Sequence, residues 1–228
     1  MLKMQKIFSN EKLDSLLGIL ANHYFIESHL NIDLLVEEFN RVRPWLNLGG
    51  RSEVFRDSSV IPLRYFLRTR NNKNIFYTNL LRSYPTSNYE LLPLTISWVK
   101  DFAYRHNSSL CWVIFSVIKP ASQVYLHNDQ GIYFAATNRF HLVFKSTGSK
   151  MISGGQIQVY KKGEVWLLNN KVPHEAFNDS DEERVHLIFD LLPNNYLTRF
   201  KNILLWIYWG LRPRRLWRYY FGVKFPNF

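Results

Sequence analysis

The feature that most constrains this chain's fold is a change of period near residue 110. Before it, apolar residues recur at helical spacing. Leu13, Leu16, Leu17 and Leu20 form one stripe, and Leu34, Leu35, Phe39 and Val42 form a second, so residues 9–43 read as helical. Asn31 fits the N-cap of the second helix and Pro44 stops it. After it, Cys-Trp-Val-Ile-Phe-Ser-Val-Ile at 111–118 is rich in β-branched and aromatic residues and ends at Lys119-Pro120. Further strands are expected at 123–127, 139–145, 156–160, 164–169 and 184–192, with turns at Thr147-Gly148, Gly154-Gly155 and Lys162-Gly163. Many short strands with regular turn signals imply an antiparallel sandwich or barrel such as a jelly roll. The expected fold is mainly β with a helical N-terminal part, the helices buttressing one sheet and leaving one mouth of the roll open.

The stretch between the two regimes is mixed. Residues 59–65 read as a short strand in which Pro62 requires an edge or a bulge. Residues 71–90 are loop-rich. Pro93 suits the first turn of a helix carrying Leu94, Trp98 and Phe102 toward the core. The expected division is a helical and loop-rich part at 1–106 packing on the core, a β core at 107–192, and a C-terminal segment at 193–228. With 46% apolar residues over 228 positions, a sizeable core is available. Cys111 is the single cysteine, which excludes an internal disulfide framework and a thiolate metal cage. The first 25 residues show no clean signal-peptide pattern, and no run reaches a membrane-spanning length, so the expectation is a soluble, cytoplasmic protein.

Four residues carry a chemical signature: His127-x-Asp129, then His174, then Arg184. Two imidazoles and one carboxylate can occupy one face of an iron ion and leave the other open, the arrangement of non-haem Fe(II) oxygenases. His127 and Asp129 are two apart, so at a strand end they project to one side. His174 follows the strand expected at 164–169, and a hairpin from 174 to 184 would bring Arg184 beside the metal. The planar fork of an arginine matches the far carboxylate of a dicarboxylic co-substrate. His127, Asp129 and His174 are therefore the candidate metal ligands and Arg184 the candidate 2-oxoglutarate anchor. Glu175, Asn178, Asn169 and Asn170 are candidates to orient the ligand imidazoles, with polar rim residues as the equal alternative.

The net charge of +11 is concentrated at the C-terminus. No acidic residue follows Asp190, yet Arg199, Lys201, Arg212, Arg214, Arg215, Arg218 and Lys224 do, interleaved with aromatic residues. Three readings stay open. The aromatics pack on the domain while the arginines stay solvated, the tail lies on an anionic membrane surface, or it binds nucleic-acid phosphates. Nucleic acid is disfavoured, because the basic residues sit in the tail rather than around the expected site.

Residues from about 92 to 192 resemble the aspartyl/asparaginyl β-hydroxylase family of Fe(II)/2-oxoglutarate-dependent dioxygenases. The resemblance rests on Leu92-Pro93-Leu94, Leu126-His127-Asn128-Asp129, Arg139-Phe140-His141-Leu142, Gly163-Glu164-Val165-Trp166, His174 to Asp179 and Arg184 to Asp190, with Val60 to Leu63 as a candidate N-terminal extension. It implies a double-stranded β-helix, a jelly-roll, cupin-like core. It implies that His127 and His174 bind iron, that Arg184 pairs with the distal carboxylate of 2-oxoglutarate, and that Arg139 and His141 make a second contact to the co-substrate. It further implies O2 as a partner and hydroxylation of an unactivated carbon of an amino acid, peptide or protein side chain. The alternatives are a membrane-associated lipid acyl-chain hydroxylase and a non-enzymatic cupin-like metal-binding protein. The chain departs from the family's animal members in two respects. They carry glycine where Asp129 stands, and their spacing to the R-x-H element is shorter. The loop 130–138, with Tyr133, Phe134 and Asn138, is thus expected to be distinct and to shape substrate choice.

Overall fold

The computed structural model describes residues 22–28, 31–48, 53–65, 83–129, 132–200 and 203–204. Among the described residues the order begins with strand β1 (His23–Glu27), followed by helix α1 (Asp33–Val42), strands β2 (Ser58–Tyr65) and β3 (Tyr84–Pro85), and helix α2 (Pro93–Arg105). Strands β4 (Ser108–Ile118) and β5 (Ser122–His127) come next, then the short helix α3 (Ile132–Ala136) and strand β6 (Asn138–Lys145). Strands β7 (Lys150–Ser153), β8 (Gln156–Val159), β9 (Val165–Leu168), β10 (His174–Asn178) and β11 (Arg184–Pro193) complete the order. They form two antiparallel sheets, one ordered β1-β9-β6-β11-β4-β2-β3 and one ordered β5-β10-β7-β8. This is the expected mainly β, double-stranded β-helix with helices against one sheet.

Local chemistry explains most of these elements. β4 carries β-branched and aromatic residues without alternation, because eight consecutive residues from Cys111 to Ile118 are buried on both faces. The Gly154-Gly155 pair has φ of 54° and 82°, the left-handed conformation that lets a two-residue turn match the twist of β7 and β8. A Cβ at Gly154 would also collide with the Asn22 side chain. Pro62 sits where the β2–β4 register slips between Pro62 and Arg64, so the bulge absorbs its missing donor.

The outer core lies between the seven-stranded sheet and α1 and α2. Phe39 meets Phe115 at 4.3 Å, and Phe102 meets Phe140 and Phe189 at 5.3 and 5.2 Å. Glu38 of α1 is buried, and its carboxylate accepts hydrogen bonds from the Leu94 and Thr95 N–H groups and the Thr95 hydroxyl. It satisfies donors at the start of α2, where no side chain of the helix's own N-cap does so.

Four expectations need correction. Residues 23–27 are not helical. His-Tyr-Phe-Ile-Glu forms β1 on the edge of β9, because a paired edge satisfies its backbone and the sequence has strand propensity. The Leu13–Leu20 stripe lies outside the described residues. Leu94 points outward at 48% exposure, and Thr95, Ile96, Val99, Phe102 and Ala103 make the inner face of α2. β7 and β10 are strands that the sequence pattern does not mark, because Lys-Met-Ile-Ser and His-Glu-Ala-Phe-Asn are short and show no apolar alternation. The 174–184 hairpin does not form: β10 pairs with β5 and β7, whereas β11 pairs with β4 and β6 in the other sheet.

Candidate active site

His127 ends β5 and His174 begins β10, and the two residues face each other in the antiparallel register. Their ring centroids are 4.2 Å apart. Each imidazole is oriented by a backbone carbonyl two residues earlier, with His127 Nδ1 2.7 Å from Tyr125 O and His174 Nδ1 2.9 Å from Val172 O. A carbonyl only accepts, so Nδ1 carries the proton and Nε2 keeps its lone pair. Both Nε2 atoms converge on Asp129, His127 on Oδ1 and His174 on Oδ2, at 3.9 Å each. Burial holds both rings below the ordinary histidine range, His174 at about 3, so both are neutral donors at neutral pH. One donor atom from each of the three residues falls within a 4.8 Å cluster. Two neutral imidazoles and one carboxylate fit a divalent ion with open positions.

The Asp129 carboxylate is itself held. Arg139 Nη1 and Asn170 Nδ2 both donate to Oδ2, the latter at 2.8 Å. Burial would raise its pKa, but Arg139, His174 and His127 outweigh burial and hold it below the usual range. Arg139 in turn donates through Nε and Nη2 to the two oxygens of Asp190, at 2.9 Å each. Its guanidinium lies over Trp112 and Phe134, at 5.0 and 5.2 Å. The 130–138 segment thus contributes α3, whose Tyr133 hydroxyl accepts from the Trp112 N–H at 3.0 Å.

Residues 64–193 match a model of the aspartyl/asparaginyl beta-hydroxylase family, more than half of the chain. The chain belongs to the aspartyl/asparaginyl beta-hydroxylase family. It is a 2-oxoglutarate-dependent dioxygenase by that membership. No curated protein sequence matches it. Among solved structures, a 2OG-Fe(II) oxygenase-family oxidoreductase from Burkholderia pseudomallei is similar at a TM-score of 0.50 and 10% identity, covering 82% of this chain and 91% of its own. A prolyl-4-hydroxylase from Pseudomonas putida is similar at 0.46 and 15% identity, covering 80% and 100%. The first of these likenesses supports the jelly-roll fold seen in the two sheets.

Among the described residues, the interior also holds a buried arginine without a carboxylate partner. Arg184 is 2% exposed and lines the same cavity as His127 and His174. Among the described residues no carboxylate lies within ion-pair distance of it. Its Nε has no partner, and Nη2 contacts His186 Nδ1 at 3.0 Å and Met151 Sδ at 3.7 Å. Burial without a neutralising anion lowers it to about 10. His141 lines the cavity too, fully buried and with Nε2 unpartnered. The structure therefore gathers all six foreseen residues into one interior, with Arg139 engaged by two carboxylates and Arg184 by none.

Of the polar residues foreseen as supports for the imidazoles, Asn170 holds Asp129 instead. Asn178 bonds Ile118, Lys119 and Glu182 carbonyls and fastens the β10–β11 turn. Asn169 donates to the Asn22 side chain. Glu175 lines the cavity with its carboxyl raised by burial. Asp190 and His186 join the site without a motif of their own to mark them. Strand alternation from Arg184 places both on the interior face, and that signal was present in the sequence.

Proposed function

We propose that this protein is an Fe(II)- and 2-oxoglutarate-dependent hydroxylase acting on an unactivated carbon of an amino acid, peptide or protein side chain. One observation carries the reading. The two imidazoles of a convergent His–Asp–His cluster line one cavity with a buried arginine that, among the described residues, has no carboxylate partner. Iron with a bound 2-oxo acid supplies the oxidising chemistry, coupling decarboxylation to succinate and CO2 with the transfer of one oxygen atom of O2 to a carbon.

The chain's own residues bind and orient. His127 and His174 offer Nε2 lone pairs fixed by the Tyr125 and Val172 carbonyls. Asp129 offers Oδ1, since Arg139 and Asn170 occupy Oδ2. Arg139 therefore serves the metal carboxylate, and the distal carboxylate of 2-oxoglutarate falls to Arg184 with His141 nearby. Phe55, Trp112, Ile114, Val124 and Ile188 form an apolar wall that excludes water and suits an apolar C–H bond. Phe55 stands edge-on to His127 at 5.7 Å, where it can steer the substrate.

Succinate release with Fe(II), 2-oxoglutarate and candidate substrates tests this reading. His127→Ala and His174→Ala each abolish it while the fold persists, and near-normal turnover in both variants would overturn the iron assignment. A cupin-like binding module would give no succinate from the unmodified protein. A second reading, a lipid acyl-chain substrate met at an anionic membrane surface, draws on the same apolar wall and on exposed Tyr196, Leu197 and Phe200 leading into the basic tail. Residues 205–228 lie outside the described residues. No helix among the described residues is long and apolar enough to cross a membrane. Flotation with anionic and neutral vesicles, with and without residues 212–228, separates the two readings.

A further inference from the structure

The Arg184-Val185-His186 tripeptide of β11 repeats, on the neighbouring strand, the Arg139-Phe140-His141 tripeptide of β6. The strands are antiparallel and residues two apart share a face. The four side chains therefore make one interior row, Arg139, His141, His186, Arg184, with the histidines in the middle. The two rings meet at 3.3 Å between Nδ1 atoms, nearly perpendicular at 84°. The ends of the row differ. Arg139 is closed by Asp129 and Asp190, whereas among the described residues Arg184 reaches only His186 Nδ1 and the Met151 thioether, a weak acceptor.

The Arg184 contact defines the state of His186. A guanidinium only donates, so His186 Nδ1 accepts, its proton sits on Nε2, and the ring is neutral. The ring is fully buried and stacks parallel to Tyr160 at 5.9 Å and 15°. Tyr160 is held in turn by Trp166, stacked at 4.7 Å, and by a 2.8 Å hydrogen bond between its hydroxyl and His23 Nδ1. His186 is thus a fixed acceptor behind a cation that lacks an anion.

We propose that His186 is a positioning residue for the co-substrate: its Nδ1 holds the Arg184 guanidinium in one orientation, leaving the unpartnered N–H edge for the distal carboxylate of a 2-oxo dicarboxylic acid. The inference rests on the reading of Arg184 as that carboxylate's anchor. A long side chain already held in its binding rotamer loses less freedom when the acid arrives. His186 therefore raises affinity for diacids without touching them, and it does nothing for a 2-oxo acid whose far end is a methyl group.

Titration calorimetry on the Mn(II)-loaded protein without oxygen tests this, using 2-oxoglutarate and 2-oxopentanoate, the acid of equal length without the distal carboxylate. His186→Leu is expected to weaken 2-oxoglutarate about tenfold, the scale of one hydrogen bond to a charged group, and to leave 2-oxopentanoate within about twofold. His186→Asn, whose side-chain oxygen can accept from Arg184, recovers most of the loss. In turnover, KM for 2-oxoglutarate rises by more than kcat falls. Unchanged 2-oxoglutarate binding in His186→Leu overturns the proposal, and so does an equal loss for both acids or a failure of Asn to recover. Should Leu fail to fold by melting curve, His186→Phe keeps the ring stack, lacks the acceptor and takes its place. If the unmodified protein binds both acids equally, or Arg184→Met leaves the difference between them intact, the Arg184 reading fails instead.

Discussion

Strand β11 has two faces, and they do different work. Val185, Leu187, Phe189 and Leu191 face the helices and are at most 4% exposed in an all-apolar cluster. Arg184, His186 and Asp190 face the other sheet, equally buried, and carry a cation, an imidazole and a carboxylate. Apolar burial stabilises the first face by roughly 1.5–3 kcal/mol per large side chain. The second face costs stability, because a buried guanidinium without a counter-ion and a buried neutral imidazole are both disfavoured. One strand thus lets the helix side support a site that would not fold on its own merits. Within the polar face the same contrast recurs between Arg139, closed by two carboxylates, and Arg184, left without one.

The comparison is sharpest at Arg184. Replacing it with Met is expected to weaken 2-oxoglutarate by roughly 2–5 kcal/mol, the cost of losing a desolvated charge partner. The same change removes an uncompensated buried charge, so the melting temperature of the ligand-free protein holds or rises. Calorimetry and a melting curve on one variant give both readings, and a fall in both would erase the distinction between the faces. On the helix side, Leu187→Ala is expected to cost about 3 kcal/mol of stability through transfer and cavity terms. Its effect on 2-oxoglutarate affinity in the folded protein is small. Denaturant unfolding measures the first quantity, and a cost below about 1 kcal/mol would mean that the face is not a packed core.

The two faces were not equally legible in the sequence. The strand pattern from 111 to 192 announced the β core, because β-branched runs between glycine turns admit few alternatives. His127, Asp129, His174 and Arg184 were legible as donors by type and spacing. Their placement was not. The notion of a 174–184 hairpin failed because sequence adjacency says nothing about which sheet a strand joins, and β10 and β11 lie in opposite sheets. Arg139 resembled a co-substrate contact from its R-x-H setting. Its engagement with Asp129 and Asp190 depends on a carboxylate ten residues earlier and another 51 residues later meeting in space. The β1 strand was hidden for a related reason: its pairing partner, β9, lies more than 130 residues downstream.

Acid distinguishes the faces more gently. His141 and His186 are both fully buried and held well below the ordinary histidine range, first by burial and then by the Arg184 charge. Arg139, His174 and His23 add to the effect on His141, and His141 adds to that on His186. The folded pKa of each lies below the unfolded one, so the unfolded chain binds protons that the folded chain refuses. Stability is therefore lost as pH falls through about 6.5. Between pH 7 and 6 each of the two histidines is expected to remove no more than about 1 kcal/mol. His127 and His174 are held low as well, so urea unfolding of the metal-free protein and of His186→Asn at the two pH values isolates the His186 share by difference. His186→Asn should halve that part of the loss, and an unchanged slope would mean that His186 is not buried neutral.

The smallest expected effect tests whether the polar face is organised around the metal carboxylate. Asn170 donates one hydrogen bond from an uncharged amide to the Asp129 Oδ2 carboxylate oxygen, beside the stronger ion-paired one from Arg139. Its backbone lies in the β9–β10 connection, so Asn170→Ala removes the side-chain bond without disturbing either sheet. A hydrogen bond to a charged group is worth roughly 1.5–3 kcal/mol, and supports of this kind alter metal affinity by roughly ten- to a hundredfold. With Arg139 still in place, the lower end applies. The iron concentration for half-maximal succinate release should rise about tenfold while the 2-oxoglutarate requirement at saturating iron stays put. A matching rise in the 2-oxoglutarate requirement would show that the two ends of the cavity are coupled. The polar face would then be one network rather than a metal end and a co-substrate end held apart by His141 and His186.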